Sequence, residues 1–136
     1  MVQKQSEFKI VLFCGGTGTR MWPASRKDKP KQFQPLVGKK SMFQQALDRI
    51  KKGFSIKDVF VITGRQYVGL VADQEPSLPL ENIIIEPEMR DTLAAVGYAA
   101  AVLDQKFKNP IVASLWAADH LVKNDKEFIK ALKAAY

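Results

Sequence analysis

Residues 8–20 have the sequence FKIVLFCGGTGTR, which predicts the first strand and the loop that follows it. The first part, residues 8–14, is a short and nearly continuous apolar run, which is typical of a buried strand in a parallel sheet. Gly15 and Gly16 follow it directly. Because ligands of open α/β sheets bind at the carboxyl ends of the strands, we look for chemistry in the loop that begins at these glycines.

Beyond this stretch, apolar runs alternate with helical patterns. The further predicted strands are residues 59–63, 82–86 and 111–117. The predicted helices cover about 42–52, 66–73, 91–106 and 126–136, and the expected N-caps are Ser41, Asp91 or Thr92, and Asn124 or Asp125. Residues 15–40 are too irregular for a strand or a helix. This order predicts an α/β fold, a Rossmann-like, doubly wound, mostly parallel sheet with helices on both faces.

The composition is that of one globular domain. The chain has 136 residues, of which 46% are apolar and 26% charged, and this excludes wholesale disorder, collagen and coiled coil. No window approaches the roughly 18 apolar residues of a membrane span, and the start of the chain is too polar for a signal peptide. Cys14 is the single cysteine. We therefore expect a soluble, cytoplasmic domain without disulfides.

Positive charge is concentrated in the first half of the chain. Residues 1–66 hold 14 basic and 4 acidic side chains, a net charge of +10, whereas residues 67–136 have a net charge of −3. A half of the chain with this positive charge is suited to binding a polyanion, whether nucleic acid, anionic lipid or a phosphorylated small molecule. A nucleic-acid-binding domain should also interleave aromatic and basic residues, and no such stripe is present. We therefore expect no nucleic acid and no membrane as partner.

Three loops that follow predicted strands are rich in polar residues: residues 15–20, 86–92 and 119–120. The first is neither a Walker A loop nor a dinucleotide fingerprint, since the required lysine and third glycine are lacking. Glycines let backbone N–H groups approach phosphate oxygens, and nearby cations neutralise the charge. Taken alone, a tight turn after a buried strand explains these glycines equally well.

The motif CGGTGTRMWPASR at residues 14–26, followed by PKQF at 30–33, resembles the signature of sugar-1-phosphate nucleotidyltransferases. The Trp-Pro and Pro-Lys-Gln-Phe elements resemble the mannose-1-phosphate guanylyltransferase branch. The later segments EPEMRDT at 86–92 and AADH at 117–120 have the order and spacing of that branch. The resemblance runs from about Lys9 to Tyr136, and it departs at Asp91, where the family more often has Asn.

This resemblance implies that GMP is transferred from GTP to mannose 1-phosphate, giving GDP-mannose and pyrophosphate. It also implies a site with catalytic, nucleotide-binding and metal-binding residues. The catalytic residues are Arg20 and Lys31, the Mg²⁺ ligand is Asp119, and the nucleotide-binding residues are Gly15, Gly16, Gly18, Thr19, Glu86, Arg90, Asp91 and Thr92. Asp119 also suits magnesium by its chemistry, because Mg²⁺ prefers one or two carboxylates plus substrate phosphates.

By the same resemblance, residues 1–136 are the N-terminal, nucleotide-binding part of a nucleotidyltransferase-type domain, with the sugar pocket in a part C-terminal to it. The isolated chain is then expected to be weakly active or inactive. The alternatives are a nucleotidyltransferase for another sugar 1-phosphate or base, and a non-catalytic nucleotide-binding module. Trp22, unusual in a polar loop, is expected to pack beneath that loop.

Overall fold

The computed structural model describes residues 7–16, 18, 21–117 and 120–136. Within these residues, four strands alternate with four helices. The strands are β1 (Phe8–Phe13), β2 (Val59–Gly64), β3 (Ile83–Glu86) and β4 (Ile111–Trp116). The helices are α1 (Met42–Lys51), α2 (Val68–Gln74), α3 (Asp91–Lys106) and α4 (Asp125–Ala134). The predicted alternation of strands and helices is confirmed.

The strands form one parallel sheet in the order β3-β2-β1-β4. The chain builds the sheet outward from β1 to β3 and then crosses over to place β4 on the other side of β1. The strand order therefore reverses between β1 and β4, and the carboxyl ends of these two strands are where ligands bind in open α/β sheets. This topology confirms the predicted doubly wound α/β fold.

The two faces of the sheet carry separate hydrophobic clusters. Alternate residues of β1 point to opposite faces, because successive side chains of a strand alternate. Ile10 and Leu12 pack with residues of α1 and α2, whereas Val11 and Phe13 pack with α3. Helices thus cover both faces, and the end of β1 is held between them.

The helix starts differ in how they are capped. Ser41 caps α1 in a reciprocal capping box with Gln44, and Asn124 caps α4 by accepting from the Glu127 N–H, so both predictions are confirmed. The prediction that Asp91 or Thr92 caps α3 is wrong. Arg90 holds the N-cap position without a side-chain cap, and Asp91 is the first helical residue with a φ of 65°. An N-cap residue has an extended backbone, which Asp91 does not have.

The long connection from β1 to α1 is ordered by a few polar contacts. It contains a 3₁₀ turn at Lys31–Phe33, and the buried Tyr67 donates its hydroxyl hydrogen to the Lys27 carbonyl at 3.0 Å. Trp22 does not pack beneath the loop as expected, because 74% of its surface is exposed. Over the described ranges, no helix has the length and apolar character needed to cross a membrane.

Candidate nucleotide site

A cleft of about 800 Å³ lies at the carboxyl end of the sheet, against the N-terminus of α3. Residues from several separated segments line it. They are Phe13, Gly15, Gly16, Gly18, Met21, Lys31, Gln32, Ile62, Glu86, Met89, Asp91, Thr92, Ala95 and Trp116. The sequence folds this way because three parallel strands, β1, β2 and β3, end side by side, and the loops that follow them meet at one edge.

The glycine loop after β1 forms one wall of the cleft in a conformation that requires glycine. Gly16 and Gly18 have φ angles of 86° and 62°, in the left-handed region that other residues rarely adopt. A Cβ atom at Gly18 would lie 2.7 Å from the Ser25 hydroxyl and 3.2 Å from the Lys31 Cγ. The loop therefore folds tightly against the base of the Lys31 side chain.

Gln32 ties this loop to the end of β1. Its side-chain Nε2 donates to the Cys14 carbonyl at 2.9 Å and to the Gly16 carbonyl at 3.4 Å. The Thr63 hydroxyl donates to the same Cys14 carbonyl at 2.9 Å, which joins β2 to the same point. Gln32 is buried, and its Oε1 has no hydrogen-bond partner among the described residues. These contacts hold the glycine loop in place over the end of the strand.

Gln32 and Thr63 are residues that the sequence analysis missed. Gln32 lies next to Lys31 within the PKQF motif, and its position was the only signal available. The Gln32 amide is neutral, so charge does not mark it as a functional group, and Thr63 has the sequence context of an ordinary strand residue. Their role depends on contacts across 16 to 49 residues of sequence, which a local pattern does not contain.

Glu86 brings a carboxylate from the end of β3 to the glycine loop. Its Oε2 lies 3.4 Å from the position that a Cβ on Gly15 would occupy. Burial raises the pKa of Glu86, and a hydrogen bond from the Arg90 backbone offsets part of that rise. A carboxylate held in this way, half-buried in a cleft, is an acceptor suited to neutral N–H donors of a ligand.

The remaining predicted residues fall into three groups. Lys31, half-buried in the 3₁₀ turn, lines the cleft, as do the exposed Asp91 and Thr92 at the start of α3. Arg90 is exposed, forms an ion pair with Glu88, and does not line the cleft. Predicted roles at Thr19, Arg20 and Asp119 lie outside the described residues.

The structure limits nucleophilic and metal-binding chemistry at the described part of the site. Cys14 is fully buried, and burial raises the pKa of its thiol far above the usual range, so the thiol stays protonated and is not a nucleophile. Among the described residues, no cluster of three or more His, Cys, Asp or Glu side chains could hold a metal ion. The cleft does present the Asp91 carboxylate, and magnesium needs only one or two carboxylates when substrate phosphates supply further oxygen ligands.

Comparison with known proteins identifies the family to which the chain is similar. The family model described as "Nucleotidyl transferase" matches residues 9–136. A mannose-1-phosphate guanylyltransferase of Klebsiella pneumoniae is 39% identical over 127 residues, which are 92% of this chain and 26% of that protein. One of Sinorhizobium fredii is 34% identical over 131 residues, covering 93% of this chain and 26% of that protein.

A solved structure shares the fold over nearly the whole chain. It is a Thermus thermophilus protein described as a mannose-1-phosphate geranyltransferase, with a TM-score of 0.78 and 29% sequence identity. The match covers 94% of this chain and 37% of that one. The chain thus spans about a quarter of the length of the curated relatives it matches. From its fold, its cleft and these matches, the chain belongs to the nucleotidyl transferase family.

Proposed function

We propose that this chain forms the nucleotide side of an active site that transfers GMP from GTP to mannose 1-phosphate. The observation that carries the proposal is the cleft itself. It brings together the glycine loop, Lys31 and Glu86, which are far apart in sequence, at the carboxyl end of the sheet. The similarity to guanylyltransferases of two bacteria supports mannose 1-phosphate as the acceptor and GTP as the donor.

The reaction needs positioning and charge neutralisation more than it needs an activated side chain. A phosphate oxygen of mannose 1-phosphate attacks the α-phosphorus of GTP, and the bond from that phosphorus to the oxygen that bridges it to the β-phosphorus breaks. The products are GDP-mannose and pyrophosphate. Because the nucleophile is already an anion at neutral pH, no serine, cysteine or histidine has to be deprotonated. The buried, protonated Cys14 is consistent with such chemistry.

Lys31 and the glycine loop would hold the triphosphate. The loop places backbone groups of Gly15, Gly16 and Gly18 along the cleft, and Lys31 lines the same cleft beside Gly18. Fixed N–H donors and a cation aimed at phosphate oxygens stabilise the charge that develops in phosphoryl transfer. Arg20 is proposed to share this role with Lys31 on the strength of its place in the motif at residues 14–26.

Asp119, with the phosphates of the substrate, would hold Mg²⁺. Bound magnesium would neutralise phosphate charge and favour departure of pyrophosphate.

Glu86 would select guanine. A carboxylate accepts hydrogen bonds, and guanine presents two neighbouring donors on one edge, the N1–H and the exocyclic amine, whereas adenine presents an acceptor at N1. Asp91 and Thr92 line the same cleft and would contact the ribose or the base from the start of α3. The Arg90 side chain is paired with Glu88. Arg90 would therefore help to hold the Glu86 carboxylate through its backbone, which forms a hydrogen bond to that carboxylate.

A transfer assay on a chimera tests the proposal. The part of this chain that aligns with the Klebsiella pneumoniae relative would replace the corresponding segment of that protein, and pyrophosphate release from GTP and mannose 1-phosphate in the presence of Mg²⁺ would be followed. We expect GDP-mannose formation that falls at least tenfold in a Lys31→Ala chimera, with Lys39→Ala in the exposed loop as the matched control. The chain alone should bind GTP and release pyrophosphate slowly or not at all. A folded chimera that makes no GDP-mannose would refute the proposal.

A further inference from the structure

An aromatic pair contributes to the lining of the cleft. Trp116, the last residue of β4, stacks on Phe13, the last residue of β1, with ring centroids 5.2 Å apart and an interplanar angle of 19°. Both residues line the cleft. Offset stacking of this kind stabilises a pair of aromatic rings and holds them in a fixed orientation.

The sheet register explains why the two rings meet. Phe13 and Trp116 are directly paired residues of neighbouring parallel strands, so their side chains point to the same face. That face is the one covered by α3, because Phe13 packs in the cluster that contains Ala95 and Ala99 of that helix. The pair lies at the carboxyl ends of β1 and β4, the two strands between which the strand order reverses.

Trp116 is exposed in a way that Phe13 is not. Phe13 is 9% exposed and stacks against the indole, whereas Trp116, which also lines the cleft, is 41% exposed. Apolar side chains of Ile62, Met89 and Ala95 border the same space. The described lining of the cleft therefore combines glycine-rich, polar residues that suit phosphates with aromatic and apolar residues that suit a ring system.

We propose that Trp116 is the stacking surface for the purine ring of the bound nucleotide, with Phe13 as its support. This inference rests on the proposed function, since it takes the cleft to be a nucleotide site. Stacking does not depend on the identity of the base, because every base has a π-face. Trp116 therefore supplies affinity for the purine, and Glu86 supplies the preference for guanine over adenine.

Titration calorimetry with Mg²⁺ tests this division of roles. The titrants are GTP, ATP and inorganic tripolyphosphate, which carries the phosphates without a base. In Trp116→Leu we expect the affinities for GTP and ATP to fall by the same factor, about tenfold, as is usual when a stacking ring is removed. Tripolyphosphate affinity should not change. Trp116→Phe keeps a ring and should restore most of the loss, a rescue that a purely structural role in β4 would not link to the base.

Tryptophan fluorescence gives an independent reading, because the chain contains two tryptophans. In Trp22→Phe the emission comes from Trp116, and GTP should quench it, whereas tripolyphosphate should not. In Trp116→Phe the emission comes from Trp22, whose side chain is 74% exposed and is not among the described residues that line the cleft, and GTP should leave it unchanged.

The outcomes separate the inference from the function on which it rests. If the wild-type chain binds GTP but Trp116→Leu binds it equally well, the stacking role is wrong and the nucleotide site stands. If Trp116→Leu weakens tripolyphosphate as much as GTP, Trp116 only supports the fold of the cleft, and the stacking role is again wrong. If the wild-type chain binds no nucleotide, the proposed function and this inference both fail.

Discussion

The two faces of the sheet are covered by helices of different character. On one face, α1 begins with a reciprocal capping box and buries four of its ten residues. On the other face, α3 begins without a side-chain cap and buries three of its sixteen residues. The cleft lies on the α3 face, at the end of the helix that lacks the cap. The helix that is more deeply buried and better capped therefore lies away from the cleft, whereas the cleft lies at the uncapped start of α3.

The start of α3 also has the less favourable backbone. Asp91 adopts a left-handed conformation, which costs a non-glycine residue free energy and is tolerated best by Asn and Asp. Strained backbone that persists in a folded protein is found preferentially at binding sites. The α1 face shows the opposite arrangement, because Ser41 and Gln44 there satisfy each other's backbone groups.

Shortening a leucine on each face tests this comparison most strongly. Leu47 of α1 is fully buried, and Leu47→Ala should lower the free energy of unfolding by about 2–5 kcal/mol. Leu93 of α3 is 86% exposed, and Leu93→Ala should change it by less than about 0.5 kcal/mol. Urea unfolding followed by circular dichroism measures both. Equal losses would mean that the first turn of α3 contributes to stability as much as the buried face of α1 does.

The pH dependence of GTP affinity tests the role of Glu86. Its carboxyl must be ionised to accept from guanine, and burial raises its pKa, so affinity should fall with acidification beginning at a higher pH than for an ordinary glutamate. Glu86→Gln should remove this acid limb and weaken GTP binding by roughly 10- to 100-fold, since hydrogen bonds to charged groups contribute about 1.5–3 kcal/mol. Calorimetry at a series of pH values measures the effect, and an acid limb that survives in Glu86→Gln would contradict it.

The raised pKa of Glu86 affects the stability of the fold in the opposite direction from its effect on GTP affinity. The folded chain binds the Glu86 proton more tightly than the unfolded chain does, because the folded pKa is raised. The contribution of Glu86 to the free energy of unfolding is therefore complete at low pH and is lost as the pH rises through the raised pKa. Acid thus favours the fold at this residue while it disfavours the ligand.

Replacing one glycine in the loop and one in α3 by alanine should change stability in opposite directions. Gly18→Ala places a Cβ at a φ of 62° and 2.7 Å from the Ser25 hydroxyl, and it should destabilise the chain by about 1–2 kcal/mol and weaken GTP binding. Gly97→Ala meets no atom within 4 Å in α3, and it should stabilise the chain by about 0.5–1 kcal/mol. Thermal unfolding with and without GTP measures both. A stabilising Gly18→Ala would show that the loop does not need its left-handed backbone.

The two helix starts give the smallest expected effect. Ser41→Ala removes the N-cap of α1 and should cost about 1 kcal/mol, in the usual range of 0.5–2 kcal/mol. Arg90→Ala at the N-cap position of α3 removes only an exposed ion pair with Glu88 and should cost less than about 0.5 kcal/mol. Chemical denaturation resolves the difference. A larger loss of unfolding free energy in Arg90→Ala than in Ser41→Ala would contradict this difference, because it would mean that the Arg90 side chain stabilises the start of α3.

Local patterns predicted the architecture well for a physical reason. The strands are continuous apolar runs, and Ser41 and Asn124 cap helices through contacts within three residues, so the sequence nearby contains the necessary information. The meeting of Gly15 and Glu86 in one cleft also followed, because parallel strands end at a common edge, whereas Lys31 was expected there from the motif at residues 30–33.

Features that depend on distant contacts were not predictable in this way. Asp91 was expected to be a cap and is a left-handed helical residue, and Trp22 was expected beneath the loop and is exposed. The hold of Gln32 on the glycine loop and the stacking of Trp116 on Phe13 depend on residues 16 to 103 positions away. Such contacts follow from the register of the sheet, which the sequence pattern leaves open.

Titration of the chain with GTP and with ATP, each with and without Mg²⁺, tests the central claim most directly. The claim is that the cleft at the carboxyl end of the sheet binds magnesium and GTP together and prefers guanine. It predicts binding of GTP that depends on magnesium and is tighter than binding of ATP. Equal affinity for the two nucleotides, or no binding of either, would contradict it.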